Sequence, residues 1–175
     1  MLPTFRYHPD PIATGSVKPS DAACVCCGQP RGYIYAGSVY GREPLREKLC
    51  PWCIASGSAA SKYNCFFSDD RPLRKAKLDR PVVLEVSRKT PGYSSWQQEE
   101  WQVCCGDACE FHGDATKQQL ADLSGERLAW HLRRWKWDAD YWRQFVEAYE
   151  PRGMMSVFHF VCRHCRQPTL ALDLA

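Results

Sequence analysis

The residues most able to do chemistry here are the cysteines, eleven of them in 175 residues. Most fall in short pairs, and in a chain without signs of secretion such pairs read as metal ligands before disulfides. Three follow the pattern C-x-x-C: Cys24-Val25-Cys26-Cys27, Cys50-Pro51-Trp52-Cys53 and Cys162-Arg163-His164-Cys165. A turn of this size lets two thiolates hold one tetrahedral Zn²⁺ on arms of about 2.3 Å, and two such turns close a four-sulfur site. The first two pairs read together as C-x₂-C-x₂₂-C-x₂-C, close to the loop lengths of zinc ribbons. Gly28 stands just after the first pair, where the backbone must curl for its amides to reach sulfur. Cys24, Cys27, Cys50 and Cys53 are therefore assigned to one structural zinc.

The third pair needs partners, and the stretch Cys104-Cys105-Gly106-Asp107-Ala108-Cys109-Glu110-Phe111-His112 offers them. Cys105 and Cys109, spaced C-x₃-C, would close a second zinc site with Cys162 and Cys165, which follow after 52 intervening residues. Cys104 or His112 is an alternative to either of the first two. The assignment leaves Cys26, Cys65 and Cys104 as spare thiols.

Closed four-thiolate sites are structural, because a catalytic zinc keeps three protein ligands and one open position. Glu110 and His112 would matter to catalysis only at a three-coordinate site; otherwise they read as a surface acid and a packed histidine. The sequence holds no H-E-x-x-H, no H-x-E with P-C-x-x-C, no G-x-S-x-G and no phosphate-binding glycine loop, so peptidase, deaminase and esterase patterns are missing. The expectation is a protein without enzymatic activity.

These ligands must be positioned by a mixed set of short elements. Residues 1–23 carry Pro3, Pro9, Pro11 and Pro19 and read as extended. Tyr33–Ala36, between Gly32 and Gly37, reads as a short strand, and the run after Cys53 as a helix weakened by Gly57. Residues 68–81 read as a surface connection, and Val82–Arg88 as a short element closed by Pro91-Gly92. A strand is expected from Trp96 to Cys105, with Trp101 and Val103 on one face. Asp114 looks like the N-cap of a helix through Leu123, and Ser124 and Asp138 start two more. Two strands, MMSVFHFVC and PTLALDLA, flank the last cysteine pair.

Composition sets the remaining limits. With 45% hydrophobic and 25% charged residues, the chain has material for a core and no signature of disorder. A net charge of +3 implies neither a nucleic-acid nor a membrane partner. The first fifteen residues carry Arg6, His8 and Asp10 without the apolar run of a secretory signal, and no stretch approaches a membrane span, so a cytoplasmic location is expected. Trp130–Trp137 mixes bases with aromatics; Trp130, Arg133, Arg134 and Trp137 share one side of a helix, which reads as core packing with snorkelling arginines rather than a nucleic-acid surface.

The runs PTFRYHPDPIATGSV, CVCCGQPRGYIYAGSVY, CPWCIASGSAA, EVSRKTPGYSSWQQEEW and FHFVCRHC together resemble the CbrC family over nearly the whole chain, least so in residues 114–150. The family's three C-x-x-C pairs match those here, which supports Cys24, Cys27, Cys50, Cys53, Cys162 and Cys165 as ligands and supplies no catalytic residue. The resemblance implies a role in tolerance to a DNase-type colicin or in toxin immunity.

The expectation is thus a single compact α+β domain over residues 1–175, with zinc-ribbon or treble-clef-like knuckles, short antiparallel strands and a helical segment. It comprises an N-terminal zinc module at 24–65 and a second at 96–175 with helices inserted at 114–150. Function is expected to be stoichiometric capture of a protein toxin domain, with a zinc-ribbon-like nucleic-acid-binding or regulatory module as the alternative. Tyr33, Tyr35, Trp96 and Trp142 are candidate anchors if exposed, though burial is the commoner fate of each.

Overall fold

A three-stranded antiparallel sheet near the C-terminus organises the chain, whose computed structural model describes residues 1–174. Its strands are β5 (Glu110–Asp114), β6 (Met155–Val161) and β7 (Pro168–Leu174), in the order β5-β6-β7. Glu110 pairs with Val161 and Phe160 with Thr169, with a bulge between Phe111 and Asp114. Alternation along a strand sends successive side chains to opposite faces. Val157, Leu170 and Leu172 accordingly face the inserted helices, while Phe158, Phe160 and Ala171 face a central cluster with Tyr93, Trp101 and Phe111.

The inserted helices are α5 (Lys117–Ala121), α6 (Gly125–Trp135) and α7 (Ala139–Ala148). Ser124 and Asp138 stand at the expected starts of α6 and α7, and Asp138 accepts from the Tyr141 amide at 2.7 Å. Asp114 does not begin a helix: it ends β5, and Thr116 caps α5 in a reciprocal capping box with Gln119, which satisfies two otherwise orphaned backbone amides. Leu128, Leu132 and Trp135 point inward from α6. That phase turns Trp130 outward, 46% exposed, against the expectation of core packing; Arg134 stacks on its ring at 5.5 Å.

The N-terminal part builds its own cluster. Strands β1 (Val17–Pro19) and β2 (Tyr33–Tyr35) pair antiparallel, Val17 opposite Tyr35. Helices α1 (Pro51–Ala55) and α2 (Ser58–Tyr63) are separated at Gly57, whose φ of +77° no helix tolerates. Tyr35, Leu49, Ile54 and Phe67 pack around Cys24, Cys50 and Cys53. The presumed surface connection contains a short helix, α3 (Arg71–Lys75), and Val82–Arg88 lies within a ten-residue helix, α4 (Arg80–Lys89). Proline in the first turn of each costs nothing, since that amide has no helical partner. Val83 and Val86 of α4 face the central cluster.

The segment before the second cysteine group is less regular than expected. Only β3 (Val103–Cys104) and β4 (Asp107–Ala108) form strands there, as a two-residue hairpin. Residues 96–102 are held by single bonds instead: Asp173 accepts from the Trp96 and Gln97 amides, and Tyr93 Oη from the Glu100 amide. Of the candidate anchors, Tyr35 and Trp142 are buried while Trp96 is 67% exposed. Among the described residues no helix is long and apolar enough to cross a membrane. The architecture is a compact α+β domain with cysteine knuckles of the zinc-ribbon kind.

Candidate metal centres

The first centre joins a knuckle to a helix start. Residues 24–29 form a tight loop in which the Cys24 amide donates to Gln29 O at 3.0 Å and the Gly28 amide to Cys24 O at 2.7 Å. Gly28 takes a φ of +72° there, a left-handed conformation that favours glycine. Across from it, Cys50 is the N-cap of α1 and Cys53 lies in its first turn. The four sulfurs of Cys24, Cys27, Cys50 and Cys53 lie within 4.8 Å of one another. The Cys24–Cys53 and Cys27–Cys50 separations are both 3.9 Å.

That spacing is informative. Thiolates at about 2.3 Å from a tetrahedral Zn²⁺ stand about 3.8 Å apart, whereas a disulfide requires about 2.05 Å. The group therefore has the dimensions of an S₄ metal site. An amide supports it, since Cys50 N donates to Cys24 Sγ at 3.2 Å.

The second centre is built from two turns. Residues 162–167 repeat the first knuckle bond for bond: the Cys162 amide donates to Gln167 O at 2.9 Å and the Arg166 amide to Cys162 O at 3.0 Å. Arg166, at φ +57°, takes the place Gly28 holds in the first. The amides of His164 and Cys165 point at Cys162 Sγ, at 3.4 and 3.5 Å. Facing this knuckle is the β3–β4 hairpin, whose Cys105 and Gly106 have φ of +52° and +72°, the signature of a type I′ turn.

This turn decides which cysteines meet. Cys104, Cys105, Cys162 and Cys165 bring their sulfurs within 4.8 Å of one another. Cys104 lies 3.8 Å from both Cys105 and Cys165. Cys109, expected in this set, is not among them. Its amide continues the hairpin by donating to Gln102 O. Being two residues beyond the strand pair that flanks the turn moves it about 7 Å along the strand. Its side chain is fully buried in the central cluster. Cys104, taken above as the spare thiol or an alternative, stands in its place, and His112 pairs with Glu110 instead.

In each group burial holds some thiols protonated while one is lowered, Cys27 to about 7 in the first and Cys162 in the second. Burial pushes the Cys50 thiol up to about 11 and that of Cys104 up to about 12, with neighbouring cysteines adding to the rise at Cys104. Burial also opposes ionisation of Cys162, yet the Cys165 and His164 amides bring it down to about 6. Four adjacent thiolates need a cation among them. The centres differ in access: Cys24, Cys50 and Cys53 are buried, while Cys105 and Cys165 are exposed.

Outside the second centre, the buried Asp107 carboxylate accepts from Tyr7 Oη at 2.8 Å, Arg163 Nη1 at 3.0 Å and His164 Nε2 at 3.0 Å. Arg163 and His164 are the two residues inside the C-x-x-C turn, so one carboxylate orients that turn from behind. Glu110 pairs with Arg163 and Arg166, which makes it an anchor of the same knuckle. Of the other thiols, Cys65 is buried in the first cluster and Cys26 lies 3.7 Å from Ser58 Oγ.

The chain can now be set beside known proteins. It is 50% identical over 173 residues to the UPF0167 protein PA1536 of Pseudomonas aeruginosa, covering 98% of this chain and 97% of that one. To the UPF0167 proteins Mb2317 of Mycobacterium bovis and MT2352 of Mycobacterium tuberculosis it is 41% identical over 166 residues, covering 94% of this chain and 89% of each of those. No solved structure matches it. Residues 2–174 match the family described as "Uncharacterised protein family (UPF0167)", and with that span and these relatives the chain belongs to the UPF0167 family.

Proposed function

We propose that this chain is a non-enzymatic binding protein whose two four-cysteine centres carry structural Zn²⁺ and stiffen a surface that captures a partner protein. The observation behind it is the completeness of both thiol sets: four sulfurs at tetrahedral spacing in each leave no coordination position for a water or substrate. An S₄ tetrahedron suits zinc or iron, and zinc is the redox-inert choice for a strut. The ligands are Cys24, Cys27, Cys50 and Cys53 in one centre and Cys104, Cys105, Cys162 and Cys165 in the other.

The partner in this reading is a protein toxin domain, bound one to one in the cytoplasm. Its support is the resemblance of the cysteine and aromatic motifs to the CbrC family. Exposed aromatics, Trp96 above all, are the type of residue that anchors such complexes. The two halves are tested separately. Metal analysis and X-ray absorption on protein purified without added metal should give two zinc atoms per chain, each with four sulfur neighbours; iron, or one zinc, would sink the scaffold. Titration calorimetry with the nuclease domain of a DNase colicin should give a one-to-one complex, and the absence of heat would remove the toxin as partner.

A further inference from the structure

Helix α4 and the N-terminal segment line a groove of about 560 Å³ to which no cysteine contributes. Its apolar surface is open. Val83 and Val86 turn the inner side of α4 to the central cluster, which leaves Pro81 and Leu84 outside, both exposed, Leu84 by 37%. The other wall is Thr4 to Arg6. Thr4 and Arg6 are exposed, and their main-chain groups enter no hydrogen bond among the described residues. An extended chain laid along that wall would find free donors and acceptors.

Charge decides what kind of chain fits. Three cations and one carboxylate line the groove, and Glu85 is paired with Arg6 at 3.4 Å. That leaves Arg80 and Lys89. Both are exposed, and among the described residues neither stands in an ion pair or hydrogen-bonds a carbonyl. The Lys89 stem lies along Gly57, where an added methyl carbon would meet its Cε at 3.0 Å. Such packing steadies the ammonium at the rim of the groove.

Spacing sets the pattern. Arg80 and Lys89 are the first and last residues of α4, so about 13 Å of helix axis separates them, with Leu84 near the midpoint. In an extended chain, residues i and i+4 are also about 13 Å apart, and i, i+2 and i+4 share one face. Two acidic side chains flanking an apolar one at that interval would meet Arg80, Leu84 and Lys89 in turn.

We propose that this groove docks an extended acidic segment of a partner protein, with an acid, an apolar residue and a second acid at alternate positions. The groove stands apart from both thiol centres, and its occupant is independent of the toxin reading.

The test is fluorescence anisotropy of the full, metal-loaded chain with a labelled peptide carrying the core E-T-L-T-E. It should bind with a submillimolar Kd. Three companions should each bind at least about fivefold more weakly: Q-T-L-T-Q without charge, E-T-S-T-E without the apolar residue, and E-L-T-T-E with leucine on the opposite face. Arg80→Gln and Lys89→Gln change exposed side chains, so folding survives. Each should weaken binding about threefold and the pair about tenfold, the scale of exposed ion pairs, and added salt should weaken the parent further. Lys75→Gln, an exposed cation outside the groove, should change nothing. The proposal is overturned by no binding, by a companion bound as tightly as the parent peptide, or by Arg80 and Lys89 variants that bind normally. An equal loss in Lys75→Gln would reduce the attraction to the field of the whole chain. A labelled single-stranded oligonucleotide bound more tightly than the peptide would give the groove to nucleic acid instead.

Discussion

Tyr7 Oη donates to Asp107 Oδ1 at 2.8 Å across 100 residues of sequence, and both groups are buried. Burial raises the Asp107 carboxyl, but Tyr7, His164, the Ala108 amide and Arg163 together hold it below its usual value. Burial and the same carboxylate push the Tyr7 phenol up to about 12. The N-terminal segment is therefore a support of the C-terminal metal centre, through Asp107 to the Arg163 and His164 side chains.

That chain of contacts predicts the effect of Tyr7→Phe. Removing a hydroxyl donor from a buried carboxylate costs about 1.5–3 kcal/mol, and the turn behind Cys162 and Cys165 loosens. Urea unfolding should show that loss, and chelation of the second centre should become faster while the first is unchanged. Equal stability in the two proteins would mean that the Asp107 network stands without Tyr7.

Unequal exposure predicts an order of metal loss. Cys105 and Cys165 are open to solvent, whereas three of the four thiols of the first centre are buried. With excess chelator and a colour reagent for zinc, release should be biphasic, one zinc leaving at least about tenfold faster than the other. Cys165→Ser should abolish the fast phase and leave the slow one. Because a structural zinc site contributes on the order of 10 kcal/mol of folding energy, loss of the slowly released metal of the first centre should unfold the N-terminal cluster.

Two glycines separate backbone strain from steric conflict. At Gly28, with φ +72° and open space around it, Gly28→Ala should cost about 1 kcal/mol, the strain of a left-handed residue. At Gly92 a methyl carbon would lie 1.8 Å from Phe67 O, a backbone atom that cannot step aside. Gly92→Ala should lose about 3 kcal/mol or more. Thermal unfolding of both metal-loaded variants checks the ranking, and a milder effect at Gly92 than at Gly28 would contradict it.

The parts of this fold legible in the sequence are those with local causes. Tyr33–Tyr35 between glycines, the two strands around Cys162 and Cys165, and the Asp138 cap each carry their signal within a few residues. The exchange of Cys104 for Cys109 was not legible from spacing alone, because it depends on a hairpin that pivots on Cys105 and Gly106. Counting intervals between cysteines does not see which face a thiol takes. The true start of α5 had a readable signal, Thr116 with Gln119 three residues on, but Asp114 is an equally good cap by residue type, and only the pairing of β5 with β6 occupies it.

Acid should weaken the fold through His8. The ring is fully buried, donates from Nδ1 to Pro91 O and accepts the Thr14 hydroxyl at Nε2, with Phe111 edge-on at 5.0 Å. Burial lowers its pKa from 6.5 to about 4, against the Pro91 carbonyl and Asp10, with His112 lowering it further. Between those two values the unfolded chain binds a proton that the folded chain refuses, so stability is full above pH 6.5 and falls as pH drops towards 4. The slope approaches 1.36 kcal/mol per pH unit in mid-window, for a total of about 3 kcal/mol. His131 and His159, likewise lowered to about 4 by burial, add in the same direction. His8→Gln keeps a donor and an acceptor without a titrating ring. Urea unfolding at steps from pH 7 to pH 4.5, with zinc retention measured at each step, should show a shallower dependence in the variant by close to one proton; parallel curves would show that His8 takes up its proton at the same pH in the folded and unfolded chains.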